Sequence, residues 1–291
     1  MRTWYPRKAQ SMNPHAADFA INSYSYTIGH TARQFLDKLA DRGYREFELM
    51  IYPGHLWPGD MSAADRRELR QHIERRGLEV ATLNMPNIDI NIAGASDEMR
   101  SYSLDLLQRI VELAGDLGVP AVIIGPGKAN PLFPMPREQL MGHFFAALDR
   151  LAPLAEKVGT QLYVENMPFA FLPSVDELLA ALDKYGRSDI AVIYDVANGW
   201  FIKEDVAEAL RKCAKSGRLK LVHYSDTGQT VYRHDAVGLG TVPFAIVPPV
   251  LAEIGHTERP MLEIISHDAD EGIESSVRRL VELGYGKARA G

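Results

Sequence analysis

Residues 161–224 read QLYVENMPFAFLPSVDELLAALDKYGRSDIAVIYDVANGWFIKEDVAEALRKCAKSGRLKLVHY, and their pattern decides the fold. Three short runs, at 161–165, 190–195 and 219–224, are apolar almost throughout. Strands of that kind belong to a parallel sheet, where both faces are covered. Between them, residues 174–185 and 203–215 carry apolar side chains at helical spacing. The first of these helices opens on Ser174 with Glu177 three positions on, a capping box. It ends at Gly186, where a left-handed residue closes a helix without strain.

The same alternation extends in both directions. Toward the N-terminus, strands are expected at 19–23, 47–51, 78–83 and 121–125, and helices at 31–42, 62–76, 97–117 and 137–158. Toward the C-terminus come a helix at 243–254 with proline at its start, a strand at 261–264 and a last helix at 271–283. Eight strands alternate with eight helices. Right-handed crossovers allow an open sheet or a closed barrel, and the count of eight favours the barrel. No GxGxxG follows the first strand, as an open dinucleotide-binding sheet often shows. The expected fold class is α/β, a single (β/α)8 TIM barrel. Its 291 residues exceed a minimal barrel by the length of the loops after strands. The domain is expected to span residues 1–291, with 1–16 a flexible or interface extension.

Composition narrows the function. Apolar residues make up 46% of the chain, enough for a large core. Lys plus Arg number 32 against 38 Asp plus Glu, and the resulting −6 disfavours nucleic acid as a partner. The single cysteine, Cys213, excludes a disulfide framework and a cysteine-rich zinc site. No apolar run reaches the length of a membrane span, and the N-terminal stretch lacks a secretory signal core. The expected location is the cytoplasm, with no membrane partner.

In such a barrel the C-terminal ends of the strands converge on one pocket. Glu165, Asp195, His223 and Glu263 each interrupt or end a strongly apolar run on strands five to eight. Glu48 on strand two and Asn84 at the end of strand three are further polar strand residues. A buried carboxylate needs a partner, because an unpaired charge there is costly. Any one alone reads equally as a salt-bridged pocket residue, and His223 alone as a satisfied core histidine. Four on consecutive strands point to a divalent cation. Three carboxylates and one imidazole form a hard, oxygen-rich set suited to Mn²⁺ first, with Mg²⁺, Co²⁺ or Zn²⁺ as alternatives.

The strings LYVENMP, IYDVANGW, LKLVHYSD, HDAVGLGTVPF and PMLEI resemble the xylose-isomerase-like barrel superfamily of sugar isomerases, epimerases and related lyases. The resemblance implies that Glu165, Asp195, His223 and Glu263 bind one divalent metal. It also implies that Glu165 and Glu263 act as the acid/base pair. The implied activity is a metal-dependent isomerase or epimerase on a sugar-like hydroxy-carbonyl compound, by proton abstraction through a metal-bound enediolate. The substrate is then a small sugar or polyol derivative. One departure is visible. Many members read Asp-x-x-His after strand six, whereas this chain has Asn198, which hydrogen-bonds but shuttles no proton near neutral pH.

Arg233 and His234, on the loop after strand seven, either hold distal substrate hydroxyls or belong to a solvated loop. Trp200 joins Asn198 as a substrate-binding candidate. It belongs to an apolar loop set that includes Trp57, Phe133, Phe169 and Phe201. That set either encloses a less polar substrate or covers the mouth as a homo-oligomer interface. The alternative activity is a lyase sharing the first step, either an inosose or dehydroshikimate-type dehydratase or an enzyme cleaving oxidised C-glycosides. DNA hydrolysis is disfavoured by the charge balance and by the scarcity of strand-end histidines. A non-catalytic sugar-binding role is disfavoured by the intact quartet.

Overall fold

The computed structural model describes residues 13–86 and 89–286. Eight parallel strands close into a ring in sequence order. They are β1 (Ala20–Asn22), β2 (Glu46–Met50), β3 (Glu79–Asn84), β4 (Ala121–Ile124), β5 (Gln161–Glu165), β6 (Ala191–Asp195), β7 (Leu219–Tyr224) and β8 (Met261–Leu262). The outer layer holds α1 (Ala32–Ala40), α2 (Ala63–Arg75), α3 (Asp97–Leu117), α4 (Arg137–Val158) and α5 (Val175–Tyr185). It continues with α6 (Val196–Phe201), α7 (Val206–Lys215), α8 (Val247–Glu253) and α9 (Ala269–Glu282). The chain is therefore a single (β/α)8 barrel. Among the described residues, no helix is long and apolar enough to cross a membrane.

Local sequence signals set the helix ends, those expected at Ser174, Glu177 and Gly186 among them. Ser174 and Glu177 form a reciprocal capping box at α5, and Ser62 with Asp65 forms another at α2. Gly118, Gly159 and Gly186 close α3, α4 and α5 in the left-handed conformation. The expected N-terminal extension lies mostly outside the described residues. Of its last residues, Asn13 donates from Nδ2 to Glu274 at 2.5 Å and Ala16 is buried.

Most element ends shift by one or two residues from the sequence reading, and three segments differ more. The helix expected at 203–215 begins only at Val206, capped by Asp205. A separate short helix, α6, follows β6 without a loop, because the Asp195 side chain accepts from the Asn198 N–H and caps it. Asn198 and Gly199 make that segment look like a loop in sequence. Gly199 is required there, because a Cβ would collide with the Tyr194 hydroxyl. The segment expected as one helix from Pro243 is a 3₁₀ turn followed by α8, with two prolines in the first turn of α8.

Most of the core lies between strands and helices. A smaller apolar plug of Ile123, Ile193 and Leu221, with Tyr163 against it, fills the ring. Strand side chains alternate with period two. Glu165, Asp195 and His223 stand two residues beyond Tyr163, Ile193 and Leu221, so they project inward just above the plug.

Candidate metal centre at the barrel mouth

Glu165, Asp195, His223 and Glu263 offer four ligand atoms within 4.8 Å of one another. All four residues are buried, with Asp195 and His223 at 0% exposure. His223 Nδ1 lies 3.6 Å from Glu165 and 3.4 Å from Glu263. Two buried atoms in this cluster, His223 Nδ1 and Asp195 Oδ2, have no hydrogen-bond partner. Buried polar atoms are rarely left so. An octahedral cation with ligands at about 2.1 Å spans ~4.2 Å between opposite donors, so a slight contraction of this set fits it. The donor chemistry and the two orphaned atoms both suit a divalent cation.

The orientation of each donor has a local cause. Asp195 uses Oδ1 to cap α6 at 2.6 Å, which leaves Oδ2 aimed into the cluster. Its backbone is clamped by Asn166, which accepts from Asp195 N at 2.7 Å and donates to its carbonyl at 3.1 Å. His223 donates from Nε2 to Glu48 at 3.2 Å, so in the neutral ring Nδ1 presents its lone pair to the cluster. Glu48 is fully buried and also accepts from Asn22 at 2.5 Å, from Asn84 at 3.0 Å and from Thr82.

The electrostatics follow from this crowding. Burial pushes the Asp195 carboxyl well up, and the Glu263 and Glu165 carboxylates push it further. Burial alone would lower His223, but Glu48, Glu165 and Glu263 together raise it well above the ordinary imidazole value. Burial would raise Glu48, yet His223 and the Thr82 and Asn84 donors hold it below the usual range. Without a cation, protons compensate the carboxylates; a bound divalent charge inverts that logic.

Glu48 holds the imidazole as a carboxylate holds a metal-ligating histidine in many sites. Glu48→Gln is expected to weaken Mn²⁺ binding by about 10–100-fold in calorimetric titration. An unchanged affinity rules out this role.

His234 also reaches the cluster. Its Nδ1 is 3.4 Å from Glu263 and 2.9 Å from the Ser225 hydroxyl. Its Nε2 is 2.7 Å from the Tyr232 hydroxyl, and that hydroxyl donates to Asn198 Oδ1 at 2.6 Å. Asn198 donates in turn to Glu165 at 3.3 Å and to the Asn166 carbonyl at 2.8 Å. The amide oxygen of Asn198 only accepts, so the phenol proton points to it and His234 carries its proton on Nε2. Burial lowers the His234 pKa, consistent with a neutral ring.

Of the substrate-binding candidates, Asn198 and His234 line the mouth cavity, whereas Arg233 and Trp200 do not. Residues 232–235 are extended, with Asp235 bridged antiparallel to Asp226, so alternate side chains face opposite ways. Tyr232 and His234 face in, and the Arg233 side chain is 63% exposed beside Asp235. Trp200 donates to Thr241 at 2.9 Å. Tyr232 was not legible beforehand, although its period-two relation to His234 would have found it.

The loop carrying these residues is fastened by Asp226, which accepts from Thr227, Gly238 and Val242 N–H groups at 2.7–3.0 Å. Gly240 presses on that carboxylate and on the Thr227 backbone, and a Cβ would collide with both. Gly240→Ala is expected to lower stability by ~1–3 kcal/mol, read in denaturant melts. A loss under 0.5 kcal/mol means the loop adapts.

A closed parallel barrel with a carboxylate–imidazole cluster at its C-terminal mouth defines a (β/α)8 protein equipped to hold a divalent cation. The chain belongs to the xylose isomerase-like TIM barrel family, the match running over residues 36–283. It is 22% identical over 242 residues to an uncharacterized protein of Methanocaldococcus jannaschii, covering 82% of this chain and 80% of that one. It is 27% identical over 205 residues to a probable endonuclease 4 of Mycobacterium ulcerans, covering 66% and 75%. Among solved structures, a D-tagatose 3-epimerase-like protein superposes with a TM-score of 0.77 at 20% identity, covering 91% of this chain and 97% of that one.

Proposed function

We propose that the protein is a divalent-metal-dependent isomerase or epimerase of a sugar-like hydroxy-carbonyl compound, with Mn²⁺ as its metal. The observation that carries this reading is the placement of Glu165 and Glu263. They belong to β5 and to the end of β8, three strands apart on the ring, and both line one cavity of about 350 Å³. Two carboxylates facing one bound carbon from different sides suit removal of a proton by one and its return by the other. A cation bound by Glu165, Asp195, His223 and Glu263 supplies Lewis-acid polarisation of the carbonyl and charge stabilisation as the C–H bond breaks.

The chain's own residues do the rest. Asn198 and Asn22 donate to Glu165 and Glu263, each at 3.3 Å, and orient the two carboxylates. Tyr232 stays protonated because burial raises its pKa, with Asp195 and Glu263 nearby adding to the effect. Its bridge between Asn198 and His234 fixes the mouth side of the site. The acidic balance and the donor set support a small substrate over a polynucleotide, although a probable endonuclease is among the relatives.

The test is incubation of the Mn²⁺-loaded protein with hydroxy-ketones in D₂O, reading deuterium uptake and product mass together. Deuterium uptake at the carbon next to the carbonyl, with mass otherwise conserved, is the expected result. Loss of water or another leaving group instead selects a lyase. Absence of exchange from every hydroxy-ketone defeats both.

A further inference from the structure

The walls above the cluster are chemically unlike its floor. The floor carries Glu165, Glu263, Asn198 and His234, whereas the walls carry Met50, Met85, Ile90, Ile92, Met167 and Phe169. The side-chain amides lining the cavity are largely committed to protein partners, while Tyr24 adds a phenol and Lys128 an ammonium. Asn91 donates to the Lys128 carbonyl at 2.9 Å and accepts from the Lys128 and Ala93 N–H groups at 2.8 and 3.1 Å. Asn84 donates to Glu48, and Asn198 and Tyr232 bond each other. Lys128 brings a positive charge, its pKa lowered by burial, with Asp89 acting against that shift.

A free sugar placed here exchanges water for thioether and alkyl groups at its remote hydroxyls. Each hydroxyl left without a partner weakens binding by about tenfold. An apolar ring gains from the same walls. Three methionines give a surface that adapts to the shape of such a ring. At the rim, Phe169 is 60% exposed, with its ring edge-on to Tyr232 at 5.3 Å and tilted against Phe201 at 5.8 Å. It presents an aromatic face held in place from behind.

We infer that the substrate is a hydroxy-carbonyl compound carrying a bulky apolar group, such as an aromatic ring, at the end remote from the carboxylate cluster. This rests on the proposed function and names its substrate class.

The test is calorimetric titration of the Mn²⁺-loaded protein with D-fructose, D-psicose and D-tagatose, each as the free sugar, the 6-O-benzyl ether and the 6-phosphate. At least one benzyl ether is expected to bind tenfold or more tighter than its parent sugar and its phosphate. Phe169→Ser, at an exposed position where folding is not at stake, is expected to weaken that ether about tenfold and its parent less than twofold. Free sugars or phosphates binding as tightly as the ethers, or no ether binding, overturns the inference. So does an equal loss for ether and parent in Phe169→Ser. Deuterium exchange separates the two levels. An ether that binds tightly without exchange removes the proposed reaction and keeps the substrate class. Exchange confined to free sugars, with weak ethers, does the reverse.

Discussion

Glu165→Gln and Glu263→Gln are each expected to reduce turnover by about 10²–10⁴-fold at saturating Mn²⁺, the range set by loss of a positioned acid or base. Glutamine preserves shape and one oxygen donor, so the barrel is retained. The two variants should fail differently. If one carboxylate serves each face of the substrate carbon, Glu165→Gln loses deuterium exchange from one epimer and Glu263→Gln from the other. Metal content measured on the same samples separates a lost proton acceptor from a lost ligand. Full activity in both variants, with metal bound, removes the acid/base assignment.

The second large effect is on stability, and its sign depends on the cation. In the metal-free protein, Asp195 is a buried acid whose pKa is raised by burial and by Glu263 and Glu165. A raised carboxyl pKa costs the folded state stability as pH climbs above the ordinary value of 3.8. Asp195→Asn keeps the Oδ1 cap on α6 and removes that cost. It is therefore expected to melt several degrees above the unsubstituted protein in EDTA at pH 7, at roughly 2–4 °C per kcal/mol for large domains. The difference should vanish near pH 4. Added Mn²⁺ reverses the order, since a ligand at 100 times its Kd stabilises by ~2.7 kcal/mol and the variant lacks a ligand atom. Cation uptake also displaces protons from His223 and Asp195, so apparent affinity strengthens as pH rises. Differential scanning in EDTA and in Mn²⁺, at pH 4 and pH 7, checks every sign. A variant less stable than the parent in EDTA at pH 7 contradicts the electrostatics.

Much of the barrel was legible because its signals are local. Apolar runs mark the strands, period-3.6 stripes mark the helices, and Ser174 and Gly186 mark where a helix starts and stops. The quartet was legible for a related reason: each member interrupts an apolar run, and the closed ring turns four strand ends into one place. What failed was also local in origin. The short helix α6 reads as a loop because Asn198 and Gly199 are poor helix formers, and only the Asp195 cap makes it. Arg233 and His234 are adjacent in sequence, yet an extended backbone sends them to opposite sides.

The eight alternating strands, the placing of Glu165, Asp195 and His223 at strand ends, and the hardness of the donor set could all be read from the chain alone. These depend on residue type and short-range periodicity. What each donor's second atom does depends on the folded molecule. Glu48 is 175 residues from His223, yet it sets which imidazole nitrogen faces the cluster. Tyr232 joins Asn198 on α6 to His234 on the loop after β7, and methionines and isoleucines from β2 and from separate loops form one wall. Hydrogen-bond direction and cavity lining depend on distances between segments far apart in the chain, and no local period encodes them.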